Sequence, residues 1–114
     1  MEEKDPSLLL QDILECCDRI IKNLQVVSRE QFDLDINLQD AVIRRFEIIG
    51  EAAKRLPKSV RDQNPEIPWK LVMGFRDVLI HDYPDIVMSE VYRTGTQELP
   101  EFREQIREIL EDLK

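Results

Sequence analysis

The stretch "LQDAVIRRFEIIGEAAKRLP", residues 38–57, decides the fold. Its apolar side chains recur at steps of three and four residues, which is the spacing of one face of an α-helix. These apolar positions are Ala41, Val42, Phe46, Ile49, Ala53 and Leu56. Pro57 ends the pattern, because proline is expelled from a helix interior. The stretch therefore predicts an amphipathic helix from about Leu38 to Leu56, whose apolar face must pack on other helices.

Prolines divide the rest of the chain into similar segments, because proline is tolerated in the first turn of a helix. The prolines that open helices are Pro6, Pro68, Pro84 and Pro100. The predicted helices, in addition to 38–56, cover about 6–27, 68–83, 84–97 and 100–113. The segment before Pro84 ends near Tyr83, because a residue that precedes proline is pushed away from helical geometry.

The connections between these segments also carry local signals. Asp5 caps the first helix, "SREQ" at 28–31 matches a capping box in a short turn, and Asp35 or Asn37 can cap the next helix. The segment "KSVRDQNPEI", 58–67, is a connecting loop with room for one helical turn. No strand-like alternation occurs. The sequence predicts an all-α fold, an antiparallel helical bundle of four main helices plus a short fifth helix, as a single domain over 1–114.

Composition excludes several classes of protein. A chain of 114 residues has room for one core. Cys16 and Cys17 are adjacent, so they suit neither an ordinary disulfide nor, with a single histidine, a structural zinc site. The acidic N-terminus does not resemble a secretory signal, and no apolar stretch is long enough to span a membrane. These features predict a cytoplasmic protein with no metal and no membrane partner.

The formal net charge of −8 is unevenly distributed. Residues 1–43 carry four basic and ten acidic side chains, residues 44–76 carry eight and four, and residues 77–114 carry four and ten. The middle third is therefore a basic island in an acidic protein. Such an island can be a solvated helix surface, or it can provide the local positive potential that phosphate binding needs.

"RDVLIHDY", residues 76–83, follows this island and contains the only histidine. On a regular helix Arg76 and Tyr83 are about 20° apart, and His81 is about 140° from Arg76. Pro84 loosens the last turn, so the arginine and the imidazole can converge at the helix end. Asp77, four residues before His81, lies on the same face and can hold the imidazole in one tautomer. The set has the composition of a small phosphate-binding site.

The same residues fit the R-x4-H-x-Y signature of HepT-like toxins, which are helical ribonucleases of the HEPN superfamily. The blocks "IIGEAAKRLP", "IPW" and "LPEFREQIREIL" also resemble that family, so the resemblance covers nearly the whole chain. It implies a metal-independent endoribonuclease without cofactor that acts as a homodimer. In this scheme His81 moves a proton, Arg76 contacts the phosphate and Asp77 orients His81. Two copies of His81 could provide both an acid and a base.

The resemblance also implies regulation at Tyr83. In HepT-like proteins a minimal nucleotidyltransferase antitoxin transfers AMP from ATP onto the motif tyrosine, which adds bulk and negative charge beside the site. This implies a type VII toxin–antitoxin pair. Tyr83 could instead stack on an RNA base or serve as a packing residue.

Other interpretations of these residues stay open. Arg44 and Arg45 precede the "IIGEA" block, and either could bind RNA in the cleft or form surface ion pairs. The bundle could be a non-catalytic interaction module that partners a nucleotidyltransferase. It could also be a regulatory domain that uses Arg76 to hold a mononucleotide.

Overall fold

The computed structural model describes residues 5–81 and 87–113, and over them the chain is helical with no strand. In chain order the helices are α1 (Pro6–Gln25), α2 (Arg29–Leu34), α3 (Ile36–Arg55), α4 (Lys58–Asp62), α5 (Trp69–His81), α6 (Met88–Arg93) and α7 (Leu99–Asp112). Four of them, α1, α3, α5 and α7, are long. The predicted all-α bundle of four main helices is confirmed.

The helix starts follow the local chemistry of the sequence. The Asp5 carboxylate accepts a hydrogen bond from the Ser7 amide, and Pro6 occupies the first turn of α1. Asp35, and not Asn37, caps α3 by accepting from the Leu38 amide at 3.0 Å. The predicted capping box at Ser28 is present, but it opens the short helix α2 where the sequence predicts a turn. The predicted helical turn in the 58–67 loop is α4.

The C-terminal third differs from the prediction of two separate helices at 84–97 and 100–113. A π-helical turn, Thr94–Glu98, joins α6 to α7 without a break. The wide turn explains why Pro100 does not interrupt the helix, since proline in a regular helix clashes with the carbonyl four residues earlier. The predicted start of this segment at Pro84 lies outside the described residues.

One apolar cluster contains side chains from all four long helices. Helix α3 is central, because it packs against both α1 and α5, and α1 in turn packs against α7. Phe46 of α3 meets Phe75 of α5 edge to face, with ring centroids 5.2 Å apart. Trp69 meets Phe102 of α7 in the same way at 6.4 Å. These contacts fix α5 at one side of the bundle, with part of its surface uncovered.

The two cysteines are free and buried in α1. Burial raises the pKa of both thiols, which keeps them protonated and unreactive. Among the described residues no helix has both the length and the apolar composition that crossing a membrane requires.

Candidate active site

Arg76 lies on α5 at its closest approach to α3. A Cβ atom added to Gly50 of α3 would be 2.2 Å from Cβ of Arg76 and 3.2 Å from the carbonyl oxygen of Val72. Glycine is therefore needed at position 50 for the two backbones to approach. The contact fixes the start of the Arg76 side chain, which is 25% exposed.

Asp77 joins Arg76 to a second cation. Its Oδ1 accepts a hydrogen bond from a terminal nitrogen of Arg76 at 3.0 Å and another from Nζ of Lys54 at 2.8 Å. The Lys54 ammonium and then the Arg76 guanidinium hold the pKa of the Asp77 carboxyl below its ordinary value. The helical spacing predicts that Asp77 orients His81. In the described contacts, however, the carboxylate binds these two cations, because both reach the oxygen at short range.

His81 is the last residue of α5 and is exposed. It lies five residues beyond Arg76, which corresponds to about 7.5 Å along the helix axis. Because α5 is a regular helix through His81, the imidazole is also about 140° from Arg76 around the helix axis, and the predicted loosening of the last turn does not extend to His81. Tyr83 and Pro84 lie outside the described residues. In the part of the chain that the structure describes, no cluster of three or more His, Cys, Asp or Glu side chains could hold a metal ion.

Arg44 and Arg45 both line a groove between α1 and α3, but their other surroundings differ. Arg44 lies beside Leu79 and Ile80, in a hollow at the C-terminal end of α5, and its guanidinium is 3.4 Å from Glu47. Arg45 is half-buried in this groove. Of the two, Arg44 is therefore the arginine on the side of the candidate site.

An apolar stripe follows the outer surface of α5. Leu71 is 73% exposed and Val78, seven residues later, is 45% exposed. Gly74 lies between them with nothing within 4 Å of an added Cβ. Steps of three and four residues continue this stripe to His81, so the exposed histidine lies at the end of an uncovered apolar helix face.

Lys54 is the residue of this site that the motif does not reveal. It is 23 residues from Asp77 in sequence, and only the packing of α3 on α5 brings them together. Its sequence signal is its position four residues after Gly50, which places both on one face of α3. Gly50 itself permits the close packing of α3 on α5.

A family model described as "Ribonuclease HepT-like" matches residues 13–109 of the chain. This match contains Gly50, Lys54, Arg76, Asp77 and His81. No solved structure gives a significant match.

Several relatives align along most of their length. A "Putative RNase" of Caldanaerobacter subterraneus subsp. tengcongensis is 40% identical over 97% of this chain and 99% of its own. A "Putative RNase" of Methanocaldococcus jannaschii is 38% identical over 100% of this chain and 98% of its own. A "Probable ribonuclease HepT" of Thermococcus cleftensis is 36% identical over 82% of this chain and 86% of its own.

Proposed function

The chain belongs to the HepT-like ribonuclease family, and from this premise we propose that it is a metal-independent endoribonuclease of a type VII toxin–antitoxin pair. One observation carries the proposal. The partly buried guanidinium of Arg76 and the exposed imidazole of His81 lie on one helix, about 140° apart around its axis, which supports contact with one RNA phosphodiester in a cleft between two chains.

The reaction needs few protein groups, because RNA supplies its own nucleophile. The 2′-OH attacks the adjacent phosphorus, the bond to the 5′ oxygen breaks, and a 2′,3′-cyclic phosphate and a 5′-OH result. A base accepts the 2′-OH proton, and an acid delivers a proton to the leaving 5′ oxygen. His81 is the residue suited to these transfers, and Arg76 stabilises the additional charge on the phosphate oxygens. Asp77 contributes by fixing the guanidinium.

The functional unit that we propose is a homodimer formed through the stripe on α5. Each chain has one histidine, so two copies of His81 in one cleft would provide a base and an acid. The exposed Leu71 and Val78 support this arrangement, since a second copy would cover apolar surface that α3 leaves open. Light scattering should give twice the chain mass for wild type, and a monomer for Leu71→Glu/Val78→Glu. A monomeric wild type would contradict the dimer.

We further propose that AMP transfer onto Tyr83 silences the enzyme. The phenol oxygen attacks the α-phosphorus of ATP, the bond to pyrophosphate breaks, and the phenol proton passes to a base of the nucleotidyltransferase antitoxin. The R-x4-H-x-Y motif and the family support this step. The AMP group would repel RNA phosphate beside His81.

The nuclease proposal is tested with purified protein and single-stranded RNA in excess chelator. Wild type should produce fragments with 2′,3′-cyclic phosphate ends, whereas His81→Ala and Arg76→Ala should each abolish cleavage. Arg107→Ala, on the surface of α7, is the control and should cut like wild type. Cleavage that persists in His81→Ala would overturn the mechanism, and a wild type that cuts no RNA would favour a non-catalytic module.

The regulatory proposal is tested by intact mass. Co-expression with a nucleotidyltransferase encoded beside the gene should add the mass of one or more AMP groups and abolish RNA cleavage. Tyr83→Phe should keep its unmodified mass under the same conditions. Added AMP on the Tyr83→Phe protein would place the modification elsewhere.

A further inference from the structure

Helix α3 provides a second cation, Lys54, close to Arg76. Nζ of Lys54 lies 2.8 Å from Oδ1 of Asp77, and a terminal nitrogen of Arg76 lies 3.0 Å from the same oxygen. The two cationic nitrogens therefore cannot be farther apart than the sum of these distances. Two cations around one carboxylate keep one net positive charge, so the cluster is still able to attract an anion.

Both cations keep donors that Asp77 does not occupy, one of which, Nε of Arg76, is buried. A lysine ammonium has three N–H donors and a guanidinium has five, and in the described contacts each gives one hydrogen bond to Asp77. Lys54 is 41% exposed and Asp77 is 45% exposed, so the cluster is open to water on one side. A phosphodiester has two non-bridging oxygens, and each can accept a hydrogen bond from a different cation.

The position of Lys54 results from the close approach of α3 and α5. Gly50 lies under Arg76, and Lys54 is one turn further along the same face of α3. The glycine contact thus sets the distance at which Lys54 reaches the α5 residues. The site is assembled from two helices, whereas the R-x4-H-x-Y motif lies on one.

We propose that Lys54 is a second phosphate-binding residue of the RNA site, and that Asp77 is a positioning residue that holds Lys54 and Arg76 together. The proposal rests on the proposed ribonuclease function. Without the carboxylate the two cations would repel each other and move apart. The lowered pKa of Asp77 agrees with this role, since it reflects the stabilisation of the ionised carboxylate first by Lys54 and then by Arg76.

The test measures binding of a short, fluorescein-labelled single-stranded RNA to His81→Ala protein, which leaves the RNA uncut. Adding Lys54→Gln should weaken binding about tenfold. It should also lower the slope of log affinity against log salt by about 0.7 for each Lys54 that contacts RNA. Lys54→Arg should restore most of the affinity and the slope, because it keeps the charge.

Lys22→Gln, at an exposed position of α1 beside acidic residues, is the matched loss of one charge and should leave affinity and slope unchanged. Equal affinity and slope for Lys54→Gln and its parent would overturn this inference. Lys54→Met, which keeps the length of the side chain, gives the same test if the glutamine variant does not fold. RNA cleavage by protein that keeps His81 tests the nuclease proposal separately. The proposal for Lys54 and the proposal for the nuclease can therefore each fail without the other.

Discussion

Gly50 and Gly74 are both helical, but their surroundings differ. A Cβ at position 50 would lie 2.2 Å from Cβ of Arg76, an atom that cannot move unless α5 moves, whereas a Cβ at position 74 would meet nothing within 4 Å. We therefore expect Gly50→Ala to lower the free energy of unfolding by about 1–3 kcal/mol through overpacking. Gly74→Ala should raise it by roughly 0.5–1 kcal/mol, because alanine is the better helix former.

Urea denaturation of the two variants checks these two predictions. The midpoints should move in opposite directions at an unchanged slope. Midpoints that shift together would show that α3 and α5 are not packed as closely as Gly50 indicates. Cleavage should also fall in Gly50→Ala, because this substitution displaces Arg76.

Asp77 makes stability depend on pH in a defined direction. Its folded-state pKa lies below the ordinary value of 3.8, because Lys54 and then Arg76 stabilise the ionised form. The contribution of Asp77 to the free energy of unfolding is therefore present above the unfolded-state pKa. It is lost as the pH falls through the folded-state pKa. The urea midpoint of Asp77→Asn should be lower than that of wild type at about pH 7, and the difference should shrink as the pH falls below 3.8. A difference that persists at low pH would exclude charge as its source.

At the level of elements, the sequence predicts those features that depend on near neighbours. The Asp5, Ser28 and Asp35 caps act over two or three residues, so their patterns are visible in the chain. The π-helical turn before Pro100 was not predictable in this way. It depends on how the turn itself and α7 pack on α1, whereas a proline alone indicates the start of a new helix.

The residues of the candidate site also fall into those that a local motif identifies and those that depend on packing. Arg76, Asp77 and His81 share one helix, so a motif can identify them. The partner of Asp77 was predicted incompletely, because Lys54 belongs to another helix and reaches the carboxylate only after α3 and α5 pack. An (i, i+4) pattern shows which residues share a face, but it does not show which cation arrives from a neighbouring helix.

The capping box at the start of α2 gives a test at this scale. The Ser28 hydroxyl accepts from the Gln31 amide at 3.1 Å, and the Gln31 side chain accepts from the Ser28 amide at 2.8 Å. Ser28→Ala should destabilise the protein by about 1 kcal/mol, since it leaves helix-end donors without their partner. Ser59→Ala, in the exposed first turn of α4, is the control and should change stability by less than about 0.5 kcal/mol. Thermal denaturation by circular dichroism measures both, and equal losses would contradict the capping role.

At the scale of the whole molecule, the distribution of charge matters more than its sum. Helices α3, α4 and α5 contain the basic middle of the sequence, and α3 packs directly on α5. Lys54 and Arg76 therefore lie on the least acidic side of a chain with net charge −8. RNA phosphates respond to the local electrostatic potential, which explains how an acidic protein can have an RNA site. Salt should weaken RNA binding strongly.

The single apolar cluster leads to our proposal that residues 1–114 fold as one cooperative domain. Trp69, the only tryptophan, contacts Phe102 and reports on the junction of α5 with α7, while circular dichroism reports on all helices. The two probes should give coincident urea transitions, because none of the four long helices can leave the shared core without exposing the others. The buried thiols of Cys16 and Cys17 should become reactive over the same range of urea. A fluorescence change well before the loss of helix would instead show that α5 unfolds separately, and the site with it.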